Sequence, residues 1–367
     1  MFFDSRAPEP FLDALIEALP VGWGGHSTGP GLADSYQEES RQRDLARDAC
    51  SWEEFLRPGE TTGFGEWLLL SLGEEERYAV TIGLLSGPDD SWSLFISSPG
   101  GLADEQGEFL RLPRASTPGE VAHALCRMAR AADRRAVEKH LQEATAERRH
   151  ASSSLPGGRI VVFDLETTGL DPETARIVEA AWLVADHRAL AWGSVLIDPG
   201  VPIPEGAYDV HGIDDTMARN DGVSPRDAID ELTGILAKEI SDGATLVIFN
   251  RVYDLPLLDA ECRRHGLPRL ADRLRRPVQV VDPMRISQQI RYHSDNHALS
   301  DLADLYSPGN LAAHSALGDC LATWDALVGL CRHYGEIVVR LLFQRQEVAR
   351  HDEPLTVQHL LACSNVG

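Results

Sequence analysis

The sequence is poor in basic residues. Against 57 Asp and Glu it has only 34 Lys and Arg, a formal net charge of −23, and its two lysines are Lys139 and Lys238. A chain this acidic repels phosphates at long range, so we do not expect a protein that coats nucleic acid without regard to sequence. The net charge does not exclude an enzyme that binds phosphates through a metal ion and a local basic patch.

Long apolar runs and paired cysteines are also lacking. No stretch approaches the roughly 20 apolar residues that cross a bilayer, and residues 1–6 show no basic leader before an apolar core, so we predict neither membrane association nor a signal peptide. The six cysteines contain no Cys-x-x-Cys pair. This pattern favours reduced thiols in a cytoplasmic protein over a disulfide framework or a zinc site.

The length of 367 residues predicts about two domains. A stretch rich in Ser, Pro and Gly at 147–158 is typical of a flexible linker. We therefore predict a small α+β domain of unknown role at 1–146, a second domain at 159–335 and a helical extension at 336–367. In the first domain, strands are predicted at Trp67–Leu72, Tyr78–Leu85 and Trp92–Ser97 and a helix at about 118–149, with no catalytic constellation.

The second domain alternates predicted strands and helices. Three strands come first and βα alternation follows, which favours an α/β fold with a mixed sheet flanked by helices. The strands are predicted at 159–164, 177–185, 189–197, 244–249 and 278–281, and the helices at 225–240, 252–265, 283–291, 299–306 and 315–334.

The first of these strands leads into two carboxylates, in the segment Val161-Val162-Phe163-Asp164-Leu165-Glu166-Thr167-Thr168-Gly169. Residues i and i+2 of a strand share a face, so Asp164 and Glu166 point together and repel unless a proton or a cation intervenes. Carboxylate oxygens suit Mg²⁺ or Mn²⁺. Alone, the segment fits a strand followed by an acidic turn equally well.

Two later segments add acidic residues near helix starts. Asp254 falls in the first turn of a helix that follows the predicted strand 244–249, at a strand's carboxyl end where open α/β sheets place their sites. His314 precedes the long last helix and Asp319 lies in its first turns. Taken singly, each acid is better explained as a first-turn charge that the helix dipole favours.

Together, the order Asp-x-Glu, Asn-x-x-Tyr-Asp and His-x-x-x-x-Asp resembles the DEDDh branch of the DnaQ-like 3′–5′ exonucleases, which includes the polymerase III epsilon type. The resemblance covers about 159–334. The segments Val210-His211-Gly212-Ile213 and Leu299-Ser300-Asp301-Leu302-Ala303 are similar to further motifs of the family. The resemblance to this family implies a ribonuclease H-like fold.

The resemblance also implies residue roles. Asp164, Glu166, Asp254 and Asp319 would hold two Mg²⁺ or Mn²⁺ ions, and His314 would take the proton of the attacking water. The terminal nucleotide would meet Thr167, Thr168, Gly169 and Leu170, with His211 lining the site and Asn250 orienting Asp254 or capping the strand. An arginine cluster could follow the phosphate backbone, although a solvated face explains it as well: Arg263, Arg264, Arg269, Arg273, Arg275 and Arg276.

The resulting expectation is a metal-dependent 3′–5′ exonuclease that releases nucleoside 5′-monophosphates, with single-stranded DNA as the favoured substrate. An RNA-trimming exonuclease or an oligoribonuclease is an alternative within the enzyme class. A polymerase-associated, proofreading-type subunit is another, with the N-terminal domain as a recruitment module. The expected partners are nucleic acid with a free 3′ end and a possible protein bound through that N-terminal domain.

Overall fold

The computed structural model describes residues 14–15, 17–20, 23–28, 67–72, 79–85, 91–97, 108–113, 115–143, 158–186, 189–275, 280–306 and 315–335. Its chain divides into two compact units, Met1–Ala136 and Val137–Gly367. His314, nearly all of the predicted linker and the predicted C-terminal extension lie outside the described residues. The predicted domain limits therefore stay predictions.

The first unit contains a five-stranded antiparallel sheet in sequential order, followed by the start of helix α1 (Pro118–Gln142), whose last residues, from Val137 on, belong to the second unit. Thr117 and Glu120 start α1 with a reciprocal capping box, in which the Thr117 N–H donates to Glu120 at 2.7 Å and the Glu120 N–H to Thr117 Oγ1 at 3.3 Å. Residues 144–149 of the predicted helix lie outside the described residues. The strands are β1 (Trp23–Thr28), β2 (Trp67–Leu72), β3 (Ala79–Leu85), β4 (Ser91–Ser97) and β5 (Glu108–Pro113).

Strands β2, β3 and β4 lie where the sequence predicted them, whereas β1 and β5 were not predicted. The segment of β1 contains Gly24 and Gly25, which weaken a strand signal. The segment of β5 ends in Pro113, and proline is confined to edge strands or strand ends. Both segments are strands because β2 and β4 offer them hydrogen-bonding partners.

The second unit is built on a mixed sheet in the order β10-β9-β6-β7-β8. The central strand β6 (Arg159–Thr167) pairs antiparallel with β7 (Ile177–Asp186) and parallel with β9 (Thr245–Val247). The outer strands are β8 (Leu190–Leu196) beside β7 and β10 (Val280–Val281) beside β9. The predicted mixed α/β sheet flanked by helices is confirmed.

Eight described helices accompany this sheet. Four of the five predicted ones lie within two residues of their predicted limits and the fifth, Leu299–Tyr306, coincides with them. None of the described helices is long and apolar enough to cross a membrane. They are α2 (Glu205–His211), α3 (Asp215–Asp221), α4 (Pro225–Ser241), α5 (Arg251–Arg264), α6 (Leu270–Arg273), α7 (Pro283–Ile290), α8 (Leu299–Tyr306) and α9 (Ala316–Tyr334).

The side chains of β6 alternate between two hydrophobic clusters. Val161, Phe163 and Leu165 pack on the side of α4 and α5, while Ile160 and Val162 pack on the side of α9. The second cluster also includes Val137 and Leu141 from the end of α1. A central strand buried on both faces explains the continuous apolar run before Asp164. The alternation places the even-numbered residues of β6, and hence both of its carboxylates, on the side of α9.

Candidate metal centre

Three carboxylates from two elements converge beside the sheet. Asp164 and Glu166 project from β6, and Asp319 lies in the first turn of α9. One carboxyl oxygen from each residue lies within 4.8 Å of the oxygens of the other two. Glu166 is buried and the other two are partly exposed. Oxygens at this separation can share one hard cation.

Asp254 stands close to this group of three without being part of it. It is only 5% exposed, in the first turn of α5. Its charge contributes to raising the pKa of Asp164, and that of Asp319 contributes to raising the pKa of Asp254. The structure thus brings Asp254 into the electrostatic neighbourhood of the other carboxylates.

Asn250 forms the turn that leads from β9 into α5. It has φ 52° and ψ 51°, the only non-glycine residue with a positive φ among the described residues. Asparagine tolerates this left-handed conformation better than most residues. Its side chain makes no capping hydrogen bond to the helix. Asn250 shapes the backbone immediately before Asp254.

Asp282 holds this turn in place, a role that the motif analysis missed. Its fully buried carboxyl accepts the N–H groups of Asn250 and Arg251, both at 3.3 Å, and that of Met284 at 3.0 Å. It therefore joins the start of α5 to the start of α7. The detectable sequence signal was Asp282-Pro283, an N-cap residue followed by proline in the first helical position.

The site concentrates negative charge in a desolvated setting. Burial raises the pKa of Asp164 well above its ordinary value, and the charges of Asp319, Asp254 and Glu166 raise it further. Burial likewise raises the pKa of Asp254. Without a cation, the folded protein is destabilised by ionising these groups, because their mutual repulsion is poorly screened.

The raised pKa of Asp164 predicts a pH-dependent stability difference in chelator. Above its ordinary pKa of 3.8 the unfolded aspartate is ionised, so wild-type protein loses stability as pH rises from that value through the raised folded pKa. Asp164→Asn carries no such charge. We expect this variant to melt at a higher temperature than wild type at neutral pH in chelator. The difference in melting temperature between the variant and wild type should shrink as pH falls, which thermal unfolding between about pH 5 and 8 measures.

Excess Mn²⁺ should reverse that order, because an ion that binds only the folded wild type stabilises it. Asp186→Asn is the control, since Asp186 pairs with Arg159 on the same sheet and its loss should lower stability in both conditions. An Asp164→Asn protein less stable than wild type in chelator at neutral pH would contradict this account of the charge.

His211 is the last residue of α2 and is 4% exposed. Its Nδ1 accepts the Ile213 N–H at 3.0 Å, so Nε2 carries the proton of the neutral ring. That nitrogen lies 3.3 Å from the Thr167 carbonyl oxygen and donates to it. Gly212 then ends α2 with φ 66°. The structure places His211 against the end of β6, where it contacts the backbone beside Glu166.

A hydroxyl pair fixes the turn after Glu166. The hydroxyls of Thr167 and Tyr253 lie 2.7 Å apart, and the Thr167 hydroxyl donates to the Gly169 carbonyl at 2.9 Å. The Tyr253 hydroxyl also hydrogen-bonds that carbonyl. Because Tyr253 precedes Asp254 on α5, these bonds connect the two carboxylate-bearing elements. The hydroxyl of Tyr253 thus has polar partners at the turn that follows Glu166.

The loop after β6 presents an exposed apolar tip. Leu170 is 92% exposed, whereas Thr168 is buried. The Thr168 N–H donates to the Arg176 carbonyl at 2.9 Å, and the Arg176 N–H donates to the Thr168 hydroxyl at 2.9 Å. Arg176 in turn pairs with the buried Glu261 of α5 at 2.7 Å. The loop is thus anchored at its base and open at its tip. It lines a cavity together with Val201, Pro202, Pro204 and Arg264.

The predicted arginine cluster is largely neutralised by nearby acids. These ion pairs favour its interpretation as a surface network over one as a phosphate track. Arg276 lies outside the described residues. The pairs are Arg263 with Glu173, Arg264 with Glu261, Arg269 with Asp272 and Arg273 with Asp230.

Residues 161–327 match the family model described as exonuclease. A PolC-type DNA polymerase III of Lacticaseibacillus paracasei is 30% identical over 177 residues, which are 48% of this chain and 11% of that protein. A DNA polymerase III subunit epsilon-like protein of Rhodobacter capsulatus is 35% identical over 178 residues, 46% of this chain and 23% of that one. The chain thus spans under a quarter of either relative.

Among solved structures, exonuclease I is similar with a TM-score of 0.47 and 17% identity, covering 51% of this chain and 44% of that one. Exonuclease I of E. coli in complex with a dA16 oligonucleotide gives a TM-score of 0.45 and 16% identity, over 50% of this chain and 43% of that one.

Proposed function

We propose that this chain, whose residues 161–327 match the exonuclease family model, removes nucleotides from the 3′ end of nucleic acid and releases nucleoside 5′-monophosphates. One observation carries the proposal: within the matched segment, Asp164, Glu166 and Asp319 bring carboxyl oxygens within 4.8 Å of one another. Like charges this close together repel one another unless a proton or a cation compensates them. Single-stranded DNA is the favoured substrate.

Asp164, Glu166, Asp254 and Asp319 would hold two divalent cations, Mg²⁺ or Mn²⁺. Four carboxylates and two such ions balance in charge, and the oxygen-only donor set suits hard cations. When bound, these ions supply Lewis-acid stabilisation of the phosphoryl group and activation of a water nucleophile. This balance also explains how a chain of net charge −23 can admit a phosphate.

The other residues position the substrate and move the proton. His314, which precedes α9 in the sequence, takes the proton of the attacking water. The turn Thr167–Leu170 receives the terminal nucleotide, with exposed Leu170 available for an apolar contact to its base. His211 lines this turn through its contact with the Thr167 carbonyl, and Asn250 leads into the helix that carries Asp254.

Digestion of matched oligonucleotides tests the proposal. The full chain is incubated with Mg²⁺ or Mn²⁺ and with 5′-labelled DNA or RNA whose 3′ end is either free or blocked. We expect a ladder shortening from free 3′ ends, mononucleotide products and no reaction in chelator. Internal cleavage of blocked substrates would contradict an exonuclease. The ratio of DNA to RNA rates separates the favoured reading from an RNA-trimming enzyme or an oligoribonuclease.

A polymerase-associated role is the second candidate. The relatives described above are DNA polymerase III proteins by name, which supports a proofreading-type activity in association with a polymerase. The first unit, with its five-stranded sheet, would then be the recruitment module. Co-purification of a polymerase with the full chain, lost when residues 1–136 are removed, is the result expected of this candidate.

Tyr253→Phe tests how the turn after Glu166 contributes. The change removes one hydroxyl that contacts Thr167 and Gly169 and leaves the ring. Because a neutral hydrogen bond is worth about 1 kcal/mol net, we expect KM for the oligonucleotide to rise roughly three- to tenfold, with kcat within about twofold. Steady-state kinetics measures both. Tyr292→Phe, at a site 72% exposed, is the matched control, and a fall in kcat alone would argue against the positioning of substrate by this turn.

A further inference from the structure

Glu179 is a further acidic side chain beside the candidate metal centre, and none of the three motifs includes it. It lies on β7 directly opposite Glu166 of β6. Its side chain is buried, at 9% exposure. Its charge is also among those that raise the pKa of Asp164. A buried carboxylate in an already acidic neighbourhood is costly unless it is compensated.

The compensation comes from the start of α9. Glu179 Oε2 accepts the backbone N–H of Ala316 at 3.1 Å, a buried hydrogen bond between residues 137 apart in the chain. Ala316 is the first residue of α9, and the N-cap residue Ser315 accepts the Gly318 N–H at 3.2 Å. The first N–H groups of a helix lack partners within it and carry its positive dipole end. A carboxylate there is stabilised by both effects.

This hydrogen bond connects the two elements that bear the metal-centre carboxylates. At one end, Glu179 stands across the β-ladder from Glu166; at the other, Ala316 precedes Asp319 by three residues, within one helical turn. The side chain therefore sets how far the first turn of α9 stands from the sheet. A shift of this turn would carry Asp319 away from Asp164 and Glu166.

We propose that Glu179 is a positioning residue, whose hydrogen bond to Ala316 holds Asp319 within reach of the cation shared with Asp164 and Glu166. The inference rests on the proposed function. The Glu179 carboxylate acts as an acceptor on the helix backbone and not as a ligand. A glutamine in its place retains an acceptor oxygen, whereas a methionine fills a similar volume without one.

The test compares Glu179→Met, Glu179→Gln and wild type as full chains. Mn²⁺ binding is titrated calorimetrically without substrate, and amide hydrogen exchange is followed at residues 316–319 in metal-free protein. Loss of a group that orients a metal ligand typically costs about 10–100-fold in metal affinity or activity. We expect Glu179→Met to weaken Mn²⁺ binding and kcat by about tenfold or more and to speed exchange at Ala316. Glu179→Gln should stay within about threefold of wild type in all three.

Asp214→Ala is the matched control. Asp214 caps α3 by accepting the Met217 N–H at 2.7 Å, and α3 carries none of the four carboxylates. Its loss should lower the melting temperature and leave Mn²⁺ affinity unchanged. If Glu179→Met behaves in the same way, Glu179 serves stability alone and the inference is wrong. Equal losses in Glu179→Met and Glu179→Gln also overturn it, because the charge and not the hydrogen bond would then matter.

Should Glu179→Met not fold, Glu179→Ser is used in its place, because its shorter side chain leaves the Ala316 N–H without the Glu179 acceptor. Failure of the proposed function is separately visible, because wild-type protein would then neither bind Mn²⁺ nor digest oligonucleotides. A wild type that does both, beside a Glu179→Met protein that matches it, refutes this inference only.

Discussion

Asp164→Asn is expected to lower metal-dependent digestion at least about 1,000-fold while the protein remains folded. Cation stabilisation of a phosphoryl group is worth several kcal/mol, and about 1.4 kcal/mol corresponds to a tenfold change in rate. Asp164 lies within the group of three carboxylates, so its replacement would take away one of the proposed anionic ligands and leave a neutral amide. Asparagine has nearly the same shape as aspartate, so the substitution creates no cavity that could explain the loss of activity.

Single-turnover digestion of a 5′-labelled oligonucleotide in saturating Mn²⁺ measures this effect, with Mn²⁺ titration as a readout that does not depend on activity. Asp186→Asn is the control in activity, because Asp186 pairs with Arg159 at the opposite end of β6. Asp164→Asn should bind Mn²⁺ more weakly than both the wild type and Asp186→Asn. Undiminished digestion by this variant would remove Asp164 from the site.

His314→Ala is expected to slow the chemical step by about 10² to 10⁴-fold, the range that a positioned acid or base contributes. The proposed role is proton acceptance and not cation binding, so Mn²⁺ affinity should stay within about threefold of wild type, well short of the 10–100-fold cost of a lost metal-orienting group. The assignment follows from the order of motifs in the sequence, with His314 five residues before Asp319. Single-turnover rates and Mn²⁺ titration together separate the two roles.

The control for this variant is His293→Ala, which removes an exposed histidine from the loop after α7. It should digest at the wild-type rate. Addition of imidazole to His314→Ala should restore part of the lost rate, because a small base can occupy the vacated space. Loss of Mn²⁺ binding in His314→Ala would instead assign His314 to the metal shell and refute its role as proton acceptor.

The placement of Asp164 and Glu166 on one face was predictable, because the period of a strand is two and the apolar run before them is continuous. The strand itself was predicted too short. It continues from Asp164 to Thr167 because β7 pairs with it there, with a register shift between Glu166 and Thr167. The carboxylates therefore lie within the ladder and not beyond its end.

The contacts around those carboxylates were not predictable in the same way. Glu179 reaches Ala316 across 137 residues, and Asp282 reaches Asn250 across 32. The sequence around neither acid predicts which residue it binds. The short helices α2, α3 and α6 were missed for a related reason, since seven residues or fewer show too little periodicity.

By itself, the sequence determined the class of the second unit, the shared face of Asp164 and Glu166, and the motif order that resembles the exonucleases. Each of these depends on the spacing of residues along the chain. The periods of strand and helix determine from that spacing which side chains share a face. Only the tertiary structure decided that Asp319 comes within 4.8 Å of the strand carboxylates. It alone also decided that Glu179, Asp282 and Tyr253 form hydrogen bonds beside these carboxylates. Their hydrogen bonds arise where distant segments pack, and no local period encodes that distance.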